Sequence, residues 1–363
     1  MTTKEDITPP DTNSHDPADH ATSLTADWSA IQQAHPEANF LQSPAWAKMN
    51  QLIGHEVLLR NFGDNNIALM IIKNAKRGRY LEIPGGPLID WSDIDKATQI
   101  FAEIRQIAKA HHCAFIRLRP QLFKTPENLD ILKQLGAKPA SFHLHAEHTV
   151  ILDLTKSEDE LLAAMRRQTR YEVRRSLKQE LIVKSFTSEE KFREFHAVQT
   201  ETARRQNFVP PSLDTLLAER TAFGDSAQLY IAYLSDGTSD TETGGNATAL
   251  EPIAYGLILI CGDEAEYFEA ASTDLNRKHP GAYALQWQVI RDLKAQGIKR
   301  YNLWGIAPPD QPHHRYAKVT TFKTGFGGEV VEFVPAHDIV ISKLKYLPNL
   351  TIETIRKKRR HLS

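Results

Sequence analysis

Short apolar runs bounded by polar residues, "EVLLRNF" (56–62) and "NIALMIIKN" (66–74), read as strands, and the turn residues 63–66 between them predict a hairpin. A third strand, "RYLEIPGGP" (79–87), follows. The period then changes to that of a helix beginning at Ser92, with Ala97, Ile100, Phe101, Ile104, Ile107 and Ala108 on one face, and "AFIRLRP" (114–120) closes the series as a strand. The same order returns later in the chain. "LYIAYLS" and "PIAYGLILICG" read as a second hairpin, "EAEYFEAAST" as the next strand, then a helix from about Gly281 to Gln296 with Gly297 at its C-cap, and the strand "KRYNLWGI". A repeated β-β-β-α-β plan predicts two similar α/β (α+β) domains with mixed sheets and a cleft between them. The intervening section is helical, and Ser157 and Glu160 in "TKSEDELLAAM" have capping-box spacing.

The expected divisions are a disordered segment 1–26, a first domain 27–150 completed by 325–346, a second domain 151–324 and a basic tail 347–363. The polar stretch 235–251, "SDGTSDTETGGNATALE", in the second hairpin reads as a flexible surface insertion. Neither end carries hydrophobic periodicity; the first is acidic (Glu5, Asp6, Asp11, Asp16, Asp19, Asp27) and "IRKKRRHLS" at the other is basic. A net charge of −1 excludes a generally basic protein that coats nucleic acid. No apolar run has the length of a membrane span, and the polar start lacks a signal-like core, which places the chain in the cytoplasm. Cys113 and Cys261 lie in apolar runs and read as core residues, not as a disulfide framework or metal ligands.

The densest charge is in "MRRQTRYEVRRSLKQ" (165–179). If the helix starting at Ser157 continues through it, Leu162, Met165, Thr169, Val173 and Leu177 form the packing stripe. Arg167, Arg170, Arg174 and Lys178 then form a ridge with Tyr171 beside them, suited to a pyrophosphate or an RNA backbone; the alternative is a solvated face. His143, His145 and His148 do not share one strand face, and no acidic or cysteine ligand completes them, so no metal is expected there or at the His111–His112 and His313–His314 pairs. A nucleophile elbow, a catalytic-cysteine signature and a Walker loop are absent. "NRKHPGAYAL" (276–285) is only faintly similar to the coenzyme A turn of acetyltransferases, because Pro280 and a one-residue shift spoil its spacing. "TFKTGFGGEVVEF" (321–333) puts Lys323 before its glycines, the reverse of a phosphate loop, and the glycines read as a tight turn out of the second domain.

Taken in order, "NFLQSPAWAKMN", "RYLEIPGGPLIDW", "LLAAMRRQTRYEVRRS", "YFEAASTDLNRKHPGAYALQWQVI", "KRYNLWGI" and "FKTGFGGEVVEFV" resemble the FemABX family of aminoacyl-tRNA-dependent peptidyltransferases over roughly residues 40–346. The resemblance implies two acetyltransferase-like (GNAT) domains in tandem. No heptad run suggests the coiled-coil arm of some relatives. It implies transfer of an amino acid from aminoacyl-tRNA to the stem peptide of a lipid- or nucleotide-linked peptidoglycan precursor, without cofactor or metal, because the ester is already activated. By resemblance Phe322 and Lys323 are the catalytic pair, Lys323 stabilising the oxyanion. Lys48 and Arg167 with Tyr171 would bind the precursor's diphosphate, Arg170 and Arg174 competing for that role. Many relatives carry an acid just before the proline of the first domain's late strand, whereas here Arg119 precedes Pro120. The general base is therefore open between water, a substrate group, Glu82 and Asp90. Only the acceptor end of tRNA need be engaged, and the basic tail suits the inner face of the plasma membrane. The competing readings are a coenzyme A-dependent acyltransferase and a non-catalytic precursor- or RNA-binding protein.

Overall fold

The computed structural model describes residues 28–75, 78–141, 146–206, 208–235, 250–308, 311 and 317–359, the side chains of 235, 318 and 354–359 excepted. The acidic start, residues 236–249 of the expected insertion, His143, His145, the His313–His314 pair and residues 360–363 lie outside these, while Ser235, Leu250 and Glu251 belong to strands. A helical segment over 28–34 and a 3-10 turn, Phe40–Gln42, lead into α1 (Pro44–Leu52), where Ser43 caps and Pro44 takes a first-turn position. Next come β1 (Glu56–Asn61), β2 (Ile67–Ala75), β3 (Gly78–Gly85), α2 (Ile94–Ala110), β4 (Phe115–Pro120), α3 (Pro126–Gln134) and the short β5 (Lys138–Pro139). The cap of α2 is Asp93 rather than Ser92: the Asp93 carboxylate accepts from the Lys96 amide, while Ser92 Oγ donates to Asp90.

The second unit begins with β6 (His148–Asp153) and α4 (Glu158–Ala164), whose capping box of Ser157 and Glu160 is formed on both sides. The expected continuous helix is broken. Met165 and Arg166 are extended, and α5 (Arg167–Lys178) starts afresh because the Arg166 amide donates 2.9 Å to Gly325 O instead of to its own helix. The stripe shifts accordingly: Met165, Thr169, Val173 and Ser176 are buried and Leu177 is exposed. Then follow β7 (Ile182–Phe186), α6 (Glu189–Gln206), α7 (Leu213–Phe223), β8 (Ala227–Ser235), β9 (Leu250–Cys261), β10 (Glu264–Ser272), α8 (Gly281–Ala295), β11 (Arg300–Asn302), α9 (Ala317–Thr324), β12 (Glu329–Glu332), β13 (His337–Val340) and α10 (Lys343–Arg359).

One sheet has the order β1-β2-β3-β4-β13-β5 and the other β12-β6-β11-β10-β9-β8-β7. In each, two antiparallel pairings are followed by a helical crossover to a parallel neighbour, β3 with β4 and β10 with β11. The segment 325–346 divides between the sheets. β12 fills the open edge of β6, and the chain reaches the first sheet afterwards, where β13 pairs with β4. The facing surfaces share one core in which Phe40 and Trp46 from the first unit meet Phe268 and Trp304 from the second, with Phe40 at 5.2 Å from Trp46 and from Phe268 and 5.4 Å from Trp304. Cys113 is buried, Cys261 half-buried, and neither is bonded to the other. No described helix is long and apolar enough to cross a membrane.

The last helix is tied back by charge. Arg117 Nε and Nη2 each donate 2.8 Å to the Asp338 carboxylate, and Arg117 also donates to Glu353 of α10. Asp338 is 0% exposed, so Asp338→Asn leaves a buried guanidinium half-matched. It is expected to cost about 3–5 kcal/mol, read as an earlier urea midpoint; an unchanged midpoint would remove this network from the account.

Candidate functional site

β10 and β11 pair in parallel over three residues, Glu264–Glu266 against Arg300–Asn302, and then part. The chain leaving β11 stays with β6, since Leu303 N donates to Val150 O (2.8 Å) and Ile306 N to His148 O (2.9 Å), while β10 runs on to Ser272. A wedge opens between them. Lys323, on α9, fills it from one side of the sheet: Nζ donates 2.9 Å to Gly305 O on one wall and lies 5.8 Å from the centre of the Tyr267 ring on the other. Trp304, at φ +59°, puts its indole into the inter-unit aromatic cluster, so the wedge abuts the boundary between the units.

Lys323 is 7% exposed and has no carboxylate partner among the described residues. Burial lowers its pKa to about 7. Desolvation penalises the ammonium, and one carbonyl plus one ring face offset only part of that. The amine therefore exchanges its proton near neutrality and is short of anionic company, the state wanted of a group that meets negative charge during reaction.

The segment that carries Lys323 is locked to α5. Arg166 donates through its amide to Gly325 O and through Nη2 to Thr321 O (2.6 Å). Gly325 is required by that contact, as a Cβ would stand 2.2 Å from Thr169 Oγ1. Gly328, at φ +85°, turns the chain into β12, where a Cβ would meet Ile151 O at 2.6 Å. Phe322 points away from the wedge into an aromatic trio, 5.2 Å from both Tyr283 and Phe326. Lys323 is thus a buried helix residue, not a strand edge.

The structure brings some predicted residues together and leaves others apart. Phe322 and Lys323 share α9, and Arg167 follows Arg166, which grips the end of that helix. Arg167, Tyr171 and Arg174 lie exposed along α5 with no hydrogen bond or ion pair among the described residues, Tyr171 at 58% exposure. Arg170 differs, since its Nη1 donates to the carbonyls of Ala163 (3.0 Å), Leu162 and Met165 and closes the end of α4. Lys48 is exposed on α1, beside buried Trp46 and Met49, and touches none of these. Of the two candidate bases, Glu82 is buried and its pKa is raised chiefly by desolvation, whereas exposed Asp90 is held low by hydrogen bonds from Ser92. His148 lies 3.5 Å from Glu332, and the described residues contain no group of ligands able to hold a metal ion.

Sequence reasoning missed Tyr267, Gly305 and Arg166. It also missed Glu269, which burial lifts to about 7 despite a 2.7 Å hydrogen bond from Gln199. Of two surface clefts, of about 450 and 760 Å³, the smaller is lined by Asp90 and neither contains Lys48, Phe322, Lys323 or the arginines of α5. The larger lies between the units, lined by Gln32 and Ser43 on one side and Cys261 and Arg300 on the other. The wedge around Lys323 is separate from both clefts. At the start of α8, the Ala282 amide is taken by Asn276 Oδ1 (2.9 Å), and a Cβ on Gly281 would strike Ile253 at 2.3 Å. The glycine serves packing there rather than a coenzyme pyrophosphate.

The sequence profile of the FemAB family matches residues 25–241 and 238–353. Aminoacyltransferase FemA of Staphylococcus aureus (strain MW2) is 21% identical over 417 aligned positions, spanning 92% of this chain and 98% of that protein. A crystal structure of FemX superposes with a TM-score of 0.79 at 17% identity, covering 91% of this chain and 98% of that one. A tandem GNAT protein from the clavulanic acid biosynthesis pathway gives 0.50 at 10% identity, covering 88% and 96%. These likenesses establish the fold as two acetyltransferase-like units in tandem.

Lys323→Met tests the electrostatics of the wedge. The folded pKa of about 7 lies below the unfolded value near 10.4, so between them the unfolded chain binds more protons and stability rises with pH. The penalty is complete below pH 7. Relative to wild type, Lys323→Met is expected to be more stable at pH 6.5 by roughly 2 kcal/mol more than at pH 9, measured by urea unfolding. A difference independent of pH would contradict the buried, depressed amine.

Proposed function

The chain belongs to the FemAB family, and from that premise we propose that it moves an aminoacyl group from the ester of a charged tRNA to an amine on the stem peptide of a peptidoglycan precursor. The observation that carries the reading is the Lys323 ammonium, desolvated in the wedge without a counter-ion. Attack of an amine on an ester carbonyl gathers negative charge on the carbonyl oxygen, and a fixed cation in a water-poor site stabilises that charge far better than water does. Gly305 O and the Tyr267 face aim the amine without neutralising it. Phe322, held by Tyr283 and Phe326, fixes the turn of α9 that presents Lys323.

Arg167 and Tyr171 supply an unengaged cation and ring for the precursor's diphosphate, with Lys48 a second cation on the first unit and Arg174 extending the ridge. The closure of α4 by Arg170 makes it a support for the ridge more than a ligand. The acceptor end of tRNA supplies the donor ester. Exposed Leu344 (87%) and Leu347 (57%), flanked by exposed Lys343 and Lys345 on α10, suit contact with an anionic inner membrane face where a lipid-linked precursor resides. A coenzyme A acyltransferase is the less favoured reading, because Asn276 and Ile253 occupy the turn where its pyrophosphate would sit.

Incubation with a panel of charged tRNAs and a soluble or lipid-linked muropeptide, followed by mass spectrometry, is expected to show one added residue. Lys323→Met should reduce transfer by about 10²–10³-fold with peptide binding retained. Absence of product with every pairing, or full activity in Lys323→Met, refutes the reading. If Lys323 acts as a cation, single-turnover transfer should fall as pH rises past the amine's pKa of about 7; Lys323→Arg, charged throughout, should lack that limb in whatever activity it keeps.

A further inference from the structure

β4 carries two arginines on one face, and their surroundings differ sharply. Leu118 and Leu122 pack into the core beneath α2, so Arg117, Arg119 and Gln121 point to the opposite side. Arg117 is matched by two carboxylates, as described above. Arg119 is 0% exposed, yet Nε, Nη1 and Nη2 have no hydrogen-bond partner among the described residues. Its Cζ lies 5.7 Å from the centre of the Phe333 ring, and Glu147 acts on it through space. A desolvated guanidinium left without hydrogen bonds is strongly unfavourable, so one retained at a strand end invites an anion.

A second orphan lies two residues along. Gln121 is 7% exposed, its Oε1 lacks a donor, and it lines the 450 Å³ cleft. Phe123, also on the cleft and 59% exposed, stacks on Phe333 at 5.9 Å, so this stacked pair lies between the Arg119 guanidinium and that space. Asp64 and Asp90 give the cleft an acidic rim. The place is close to the wedge through the backbone, as Phe333 N donates to Glu147 O (2.8 Å) and Ile306 N, next to Gly305, donates to His148 O. The two unpaired buried cations, Arg119 and Lys323, thus flank the start of β6.

We propose that this end of β4 is a subsite for an amino acid centre carrying both a carboxylate and an ammonium. The carboxylate pairs with the Arg119 fork when the exposed Phe123 and its partner Phe333 shift aside, and the ammonium donates to Gln121 Oε1 and toward Asp90. On the acceptor reading above, on which this rests, the subsite selects a stem peptide whose diamino acid side chain ends in such a centre over one ending in a bare amine. A site built around an unsatisfied polar group rejects ligands that leave it unsatisfied.

Calorimetric titration of two soluble probes, UDP-N-acetylmuramyl pentapeptides with meso-2,6-diaminopimelate or L-lysine at the third position, tests this. Wild type is expected to bind the diaminopimelate form at least about tenfold more tightly. Arg119→Gln should bring the two within about twofold, with affinity for the lysine form unchanged. The diaminopimelate peptide amidated at its side-chain carboxyl should bind wild type like the lysine form, an arm that needs no variant. Equal affinity of wild type for the first two probes, or a preference that survives in Arg119→Gln or with the amidated peptide, overturns the subsite and leaves the acceptor reading standing. Failure to bind any of the three overturns both.

Discussion

An amine buried without a carboxylate is the constraint around which this protein is arranged. Lys323 contacts one carbonyl and one ring face, too little to repay the loss of water around an ammonium. Its position must therefore be imposed by the surrounding backbone, and three features do so. β11 leaves β10 after three paired residues and stays with β6, which makes the wedge. Arg166 closes the end of α9 from the break between α4 and α5, and Gly325 lets Thr169 approach without collision. β12 then pairs with β6 and fastens the outgoing chain.

Charge elsewhere in the protein obeys the opposite rule. Arg117 is as deeply buried as Lys323 but meets Asp338 and Glu353, and that network fastens α10 to the first sheet. Satisfied groups of this kind hold structure, while the unsatisfied ones, Lys323 and Arg119, stand on either side of the start of β6. That contrast sets charge that ties elements together apart from charge left without a counter-ion within a single fold. The larger of the two clefts follows the first pattern, since its Arg300 is already paired with Glu264 at 2.7 Å.

Much of the architecture was legible because it is encoded locally. Apolar runs of strand length in "EVLLRNF" and "PIAYGLILICG" expose both hairpins, and Ser157 with Glu160 announces a helix start that the structure forms on both sides. What local pattern could not carry was anything fixed by distant partners. The break at Met165–Arg166 depends on a carbonyl about 160 residues away, at Gly325. The sheet that β12 joins depends on an open edge of β6, and the cap of α2 moved from Ser92 to Asp93 because Asp90 captures the serine. Lys323 was recognisable from its aromatic neighbour and family pattern, but not its burial, since Tyr267 and Gly305 are brought to it only by the parting of β10 and β11. Arg119 stood out in sequence as a departure, and only the fold shows it to be unpaired.

The central claim is that Lys323 is a neutralisable amine in a dry wedge. It is tested most directly by NMR titration of the Lys323 side chain, following its terminal carbon and nitrogen shifts in the full-length protein, with Lys323→Met providing the assignment. The account predicts a midpoint near pH 7, well below the ordinary lysine range. A midpoint for Lys323 in the ordinary lysine range, above about 10, would contradict it.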